Sequence, residues 1–217
     1  AVLIAARNEE AVIGKLIDSI KAQSYPGRLV KIFVAADNCT DATAEAARSH
    51  GAEVYERYDM TRRGKGYALD FLLREIKLRG HVRFDGYIVL DADNVLDRDF
   101  ILHMNETFSA GHDIVTCYRS SKNYGDNWIS AGYALWFLRE SRYLNSARAR
   151  LGSSSGVSGT GFLFSQAVLD AQGGGWPFHL LTEDIEFSVA QILDGEKIGF
   201  APKAELYDEQ PVTFKAS

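Results

Sequence analysis

An α/β fold with a mostly parallel central sheet flanked by helices is what this sequence predicts. Three observations carry it. Short apolar runs alternate with amphipathic helical stretches through the first half of the chain. One such run, Tyr87-Ile88-Val89-Leu90, ends abruptly in Asp91-Ala92-Asp93-Asn94. Hydrophobic residues make up 46% and charged residues 24% of 217, the balance of an ordinary globular protein that buries roughly 70% of its extended surface.

The elements follow in order. Ala1–Ala5 reads as a strand, and Glu10–Ala22 as a helix carrying the stripe Val12, Ile13, Leu16, Ile17 and Ile20, with Asn8 as its N-cap. Tyr25-Pro26-Gly27 breaks the pattern. Val30–Ala36 is a second strand, Asp41–His50 an Ala-rich helix stopped by Gly51, and Val54–Tyr55 a short strand. Gly66–Lys77 places Leu69, Leu72, Leu73 and Ile76 on one helical face. The Asp91 strand, a helix near Asp99–Ala110 and a strand at Ile114–Tyr118 complete a first half, 1–118. In the second half, 119–217, Trp128–Leu151 reads as a long helix mixing aromatic residues with arginines. Gly161–Phe164 reads as a strand and Glu183–Leu193 as a helix. The two halves form a single domain, the second completing a cleft on the first.

Composition excludes several classes. The net charge of −5 argues against nucleic-acid binding, which shows a basic excess. Cys39 and Cys117 lie far apart, with neither zinc spacing nor a disulfide framework, as expected of reduced thiols in a cytosolic compartment. No apolar run approaches the roughly 18 residues of a membrane helix. The chain opens inside its first strand without Met, which is expected of a piece of a longer protein.

The chemistry gathers at strand ends. Leaving Asp91 and Asp93 unpaired in a core would be costly, so they are expected at the C-terminal edge of the sheet, where α/β folds bind ligands. Two carboxylates at i and i+2 on a rigid strand suit a divalent cation that already carries phosphates, although a solvated turn uses the same residues. Asp37-Asn38-Cys39-Thr40-Asp41 repeats the arrangement after the second strand. With Thr40 or Asp41 capping the next helix, the Asp37 carboxylate is expected to be free for a base or ribose. Arg62-Arg63-Gly64-Lys65-Gly66 is a basic, glycine-flanked loop before a helix, suited to an anion or to a solvated turn, and lacks the Ser or Thr of a Walker loop. Thr182-Glu183-Asp184 is either helix capping or the polar end of a pocket walled by Trp176–Leu181. Gly152-Ser153-Ser154-Ser155-Gly156 matches the spacing of a hydrolase nucleophile but has helix before and strand after, the reverse of what that elbow needs. Asp91-Ala92-Asp93 also fails as a calcium loop, because Val95 stands at the third ligand position.

Taken together, these pieces resemble the inverting glycosyltransferases of family 2, across essentially the whole chain. Ala6-Arg7-Asn8-Glu9-Glu10 is similar to the family's opening after the first strand, although Ala5 stands where Pro is common. Asp37 through Asp41 resembles its nucleotide-base motif and Gly64 through Leu69 its diphosphate-side motif. Asp91-Ala92-Asp93 resembles its Asp-x-Asp, Ser158-Gly159-Thr160-Gly161 its acceptor-side loop, and Thr182-Glu183-Asp184 its catalytic-base motif. The resemblance implies a GT-A fold with a Rossmann-like sheet. It also implies a nucleoside-diphosphate sugar, in the first instance a UDP-sugar, bound through Ala6, Asn8, Glu9, Asp37, Lys65, Asp91 and Ala92. Asp93 would hold Mg²⁺ or Mn²⁺, and Gly159, Thr160 and Gly161 would face a saccharide or lipid acceptor. Asp184 would be the base, with Glu183 beside it.

The nearest look is to membrane-embedded relatives of cellulose, chitin and poly-N-acetylglucosamine synthases. This implies a catalytic domain on the cytoplasmic face of a bacterial inner membrane, anchored by segments outside this chain. The Gln-x-x-Arg-Trp motif of those relatives would begin about where Phe214-Lys215-Ala216-Ser217 stands. Two other classes remain open on the residues alone. A sugar-nucleotide-forming nucleotidyltransferase would open with a glycine-rich loop, which Ala6-Arg7-Asn8-Glu9 lacks. A non-catalytic nucleotide-sugar-binding module would not need Asp91, Asp93 and Asp184 all intact.

Overall fold

A computed structural model describes residues 1–81 and 83–214. The first half is built as the alternation predicts. Strands β1 (Val2–Ala6), β2 (Ile32–Asp37), β3 (Glu53–Arg57) and β4 (Gly86–Asp91) pair in parallel in the order β3-β2-β1-β4. Every residue of β2 is buried, the signature of a strand covered on both faces. Helices α1 (Ile13–Lys21), α2 (Thr43–Ser49) and α3 (Lys65–Leu78) connect these strands.

Alternate residues of each strand feed two cores. Val2 and Ile4 pack with Ile13, Leu16 and Ile17 of α1 and with Phe100 and Met104 of α4 (Phe100–Ser109). Leu3 and Phe33 pack on the opposite face with Leu69, Leu72 and Leu73 of α3. A period of two in the strands and 3.6 in the helices makes this division automatic.

The second half departs from a parallel sheet. Strand β7 (Phe162–Ser165) lies between β4 and β6 (Ile114–Ser121) and runs antiparallel to both. Beyond β6 comes β8 (Ile198–Asp208), parallel to it, and the short β5 (Val95–Leu96) closes the edge antiparallel to β8. The sheet is therefore parallel from β3 to β4 and mixed beyond. Strand β8 is not foreseen from the sequence. Ala201 pairs with Cys117 but Glu205 with Tyr118, so Pro202, Lys203 and Ala204 have no partner on β6; Pro202 and Lys203 turn outward and break the apolar pattern, while Ala204 returns to the core.

Trp128–Leu151 does form one helical run: α5 (Trp128–Leu138), a π-helical segment (Arg139–Asn145) and α6 (Ser146–Arg150). It starts at Asn127, whose side chain accepts from the Ile129 and Ser130 N–H groups in a capping box. Helices α7 (Gln166–Ala171) and α8 (Glu183–Leu193) add Val168, Leu169 and Phe187 to the second core.

Two local expectations are corrected. Asn8 is not the cap of α1, which starts at Ile13. It adopts φ 57° and accepts from the Thr40 N–H at 2.8 Å, tying the loop after β1 to the loop after β2. Neither Thr40 nor Asp41 is the N-cap of α2, which is Ala42; Asp41 Oδ1 instead accepts from the Thr43 N–H, two residues on, at 3.1 Å. Lys215, Ala216 and Ser217, at the expected start of the Gln-x-x-Arg-Trp segment, lie outside the described residues.

Candidate active site

The parallel strands deliver their last residues to one edge, since Ala6 lies beside Ala36 and Ala5 beside Asp91 in register. There a cleft of about 330 Å³ is lined by Ala6, Glu9, Asp37, Lys65, Asp91, Ala92 and Asp93, among others. The donor-side residues singled out from the sequence are thus brought together, except Asn8, which ties the flanking loops to each other.

Lys65, the first residue of α3, reaches across the cleft. Its ammonium donates to Asp91 and to the Gly159 carbonyl at 2.7 Å, and stands 4.0 Å from Glu183. The Gly159 N–H in turn donates to Asp184 Oδ2 at 2.6 Å. One cation and one glycine therefore join the two carboxylates of the α8 start to the Asp91 strand end. Burial raises the pKa of the Glu183 carboxyl, an effect the Lys65 charge partly opposes. Burial, with Asp41 and Asp91 nearby, also raises that of Glu9.

A buried network that the sequence does not announce fixes the Asp91–Asp93 turn. The Asp91 N–H donates to Asn94 Oδ1 and Thr160 Oγ1 at 3.0 and 2.9 Å, and Thr160 Oγ1 donates to Asn94 Oδ1 at 2.6 Å. Asn94 Nδ2 donates to Asp208 at 2.8 Å. Asp208, only 3% exposed at the end of β8, also accepts from Arg119 and Gln210. Arg119 Nη1 donates to the Ser158 carbonyl at 3.0 Å, and its guanidinium lies 3.7 Å from the Phe137 ring centre. Asn94, Arg119 and Asp208 are thus site residues missed by sequence reasoning. The signal for Asp208, its place at a strand end, was hidden with β8 itself. Gly161 sits at φ 70° against Cys117, where a Cβ would fall 2.3 Å from the sulfur, so this turn requires glycine.

Asp93 stands in an acidic corner. Burial, then Asp208 and Asp91, push its carboxyl up to about 7. An excess of hard oxygen donors and negative charge fits a divalent cation. Among the described residues no group of three His, Cys, Asp or Glu closes a cation site on its own.

Three expectations do not survive. Asp37 is not unpaired: its Oδ1 accepts from Arg57 Nη1 at 2.5 Å and from Asn38 Nδ2 at 3.0 Å, with both charged side chains under 9% exposed, although the residue still lines the cleft. Gly66 is bare because the protein, not a ligand, approaches it, since a Cβ there would lie 2.0 Å from the Phe178 carbonyl. Trp176 and Phe178 do not wall a pocket at Glu183 and Asp184; an edge of Trp176 lines a separate cleft with Asp70, Lys77 and His179. Both rings fill the second core with Phe162, Phe164 and Phe187, while Leu180 and Leu181 face outward.

Helices cover both faces of a sheet with a parallel half and an antiparallel insertion, and the carboxylates sit on its C-terminal edge. This architecture and site define a GT-A glycosyltransferase domain. The family model described as "Glycosyltransferase like family 2" matches residues 1–217, and the chain belongs to that family. It is 26% identical over 214 residues to the beta-monoglucosyldiacylglycerol synthase of Synechocystis sp., covering 97% of this chain and 44% of that protein. The chain thus spans less than half the length of that relative. The mannosyltransferase PcManGT of Pyrobaculum calidifontis, solved with GDP-Man and Mn²⁺, superposes with a TM-score of 0.73 at 19% identity, over 98% of this chain and 57% of that one. TarS of S. aureus, solved with UDP-GlcNAc, superposes with a TM-score of 0.69 at 16% identity, over 98% and 58%. Among the described residues no helix is long and apolar enough to cross a membrane.

Proposed function

We propose that this chain is the catalytic domain of an inverting, metal-dependent glycosyltransferase that moves a sugar from a nucleoside-diphosphate sugar, a UDP-sugar in the first instance, to an acceptor hydroxyl. The observation that carries the reading is the convergence of Lys65, Asp91 and Asp93 with Glu183 and Asp184 through Gly159. In this reading Asp91 faces the ribose or donor sugar and Lys65 turns its charge to the diphosphate. Asp93 would hold Mg²⁺ or Mn²⁺, which when bound would supply Lewis-acid neutralisation of the leaving diphosphate. Asp184 has one oxygen held by the Gly159 N–H and offers the other to the acceptor proton. The acceptor oxygen bonds the anomeric carbon on the face opposite the diphosphate, whose C–O bond breaks. The configuration inverts, and no protein nucleophile is needed. Asp37, paired with Arg57, supports the base pocket.

For the acceptor, the glucosyldiacylglycerol synthase relative favours a lipid hydroxyl over the growing polysaccharide of cellulose- or chitin-type synthases. A lipid acceptor fits a domain working at the cytoplasmic face of a bacterial inner membrane, held there by segments outside this chain. Calorimetric titration of UDP with and without Mn²⁺, followed by donor hydrolysis across a panel of sugar nucleotides, tests the reading. Mn²⁺-enhanced UDP binding and hydrolysis of one donor are expected. UDP binding indifferent to Mn²⁺, with no donor turned over, would leave a binding module.

A further inference from the structure

The helical run from Trp128 to Arg150 carries a face that the proposed chemistry does not use. Trp128, Leu135, Trp136 and Tyr143 are 57–70% exposed. At about 100° per residue they fall on one side of the helix, together with the exposed Arg139 and Arg142. Arg139 lies over the Trp136 ring at 5.3 Å. Phe214, itself 72% exposed, meets Trp128 edge-on at 5.3 Å and extends the patch. Residues 128–151 hold four arginines and one acid, Glu140, which Arg148 engages, in a chain whose net charge is −5. Outward aromatic rings interleaved with arginines, on an otherwise acidic protein, match an anionic lipid headgroup layer: the rings enter the headgroup boundary and the guanidinium groups meet lipid phosphates.

We infer that this face docks on an anionic bilayer surface. The opposite side of the same helix explains why that placement serves the site. Phe137 packs on Arg119, which holds the Ser158 carbonyl and Asp208, so the helix that carries the docked face also braces the loop whose Gly159 N–H holds Asp184. The inference extends the lipid-acceptor reading, but vesicle binding is measured without donor sugar, so either idea can fail while the other stands.

The test is flotation of the chain with phosphatidylcholine vesicles containing or lacking phosphatidylglycerol, alongside tryptophan quenching by brominated lipid in the unmodified protein. Binding that needs phosphatidylglycerol is expected, with quenching of the exposed rings. The pair Arg139→Gln and Arg142→Gln should lower partitioning roughly tenfold or more. Trp128→Ser with Trp136→Ser should lower partitioning and remove the quenching. Arg74→Gln with Lys77→Gln, on α3, should do neither. Equal partitioning to both vesicle types, absence of quenching in the unmodified protein, or undiminished binding by the arginine pair variant would overturn the inference. So would a stable dimer in solution that hides Trp128 and Trp136.

Discussion

Asp37→Ala should destabilise this protein as well as weaken nucleotide binding. The carboxylate is removed from a pair in which both side chains are under 9% exposed, so solvent screens little of the loss. Removing one member of a buried pair costs about 3–5 kcal/mol, because the other charge stays behind in a poorly solvated place. Arg57 keeps the Arg62 carbonyl at 2.6 Å and Asp59 at 3.3 Å, which puts the expected loss at the lower end, about 3 kcal/mol. For a chain of this size each kcal/mol moves the melting temperature by about 2–4 °C, so a fall of roughly 6–12 °C is expected. Thermal unfolding followed by circular dichroism measures it. Arg57→Ala should fall similarly, and the double variant by much less than the sum, since their partner is gone in both. UDP affinity of the single variant should also drop, by about 1.5–3 kcal/mol if a hydrogen bond to the charged group is lost. A melting temperature within 2 °C of the unmodified protein, or strict additivity in the double variant, would refute the pairing as a structural element.

Asp184→Asn keeps an oxygen for the Gly159 N–H but cannot take a proton. In the full-length protein kcat should fall by about 10²–10⁴, or roughly 3–5 kcal/mol of barrier, with UDP affinity unchanged, and near-normal turnover would remove Asp184 from the mechanism. Asp93→Asn should abolish the Mn²⁺ enhancement of UDP binding in calorimetry. In the unmodified protein that enhancement should grow as pH rises through about 7, where the Asp93 carboxyl loses its proton. The same group acts on stability with the opposite sense. Its folded pKa lies above the usual carboxylate value, so the folded chain binds the extra proton, and metal-free stability should decline as pH rises from about 4 to 7. Melting curves across that range should be flatter for Asp93→Asn, and an unchanged slope would contradict the acidic corner. Asp208→Ala strips Arg119 and Asn94 of their buried acceptor and should cost about 3–5 kcal/mol. Denaturant unfolding checks this, and a loss under about 1 kcal/mol would mean that water replaces the carboxylate.

What the sequence by itself determined is what local pattern encodes. Period-two and period-3.6 apolar spacing set β1 to β4 and α1 to α4. The cost of burying Asp91 and Asp93 placed them at a strand end; that Lys65, read as part of a basic loop, meets Asp91 there came only with the packing of α3. The order of the motifs along the chain resembles that of family 2 glycosyltransferases, the family to which the chain belongs. What only the tertiary structure decided involves partners distant in the chain. Asp37 meets Arg57 because β2 and β3 lie side by side in register, so a carboxylate that reads as available is taken. Trp176 and Phe178 become core because β7 and α8 bring Phe162, Phe164 and Phe187 to them, and apolar composition alone does not tell a pocket wall from an interior. Asp208 reaches Asn94, 114 residues earlier, only because a bulge in β8 resets its register against β6. Local sequence fixes which side chains carry charge and where strands end; which charges end up paired depends on the packing of strands and helices from across the whole chain.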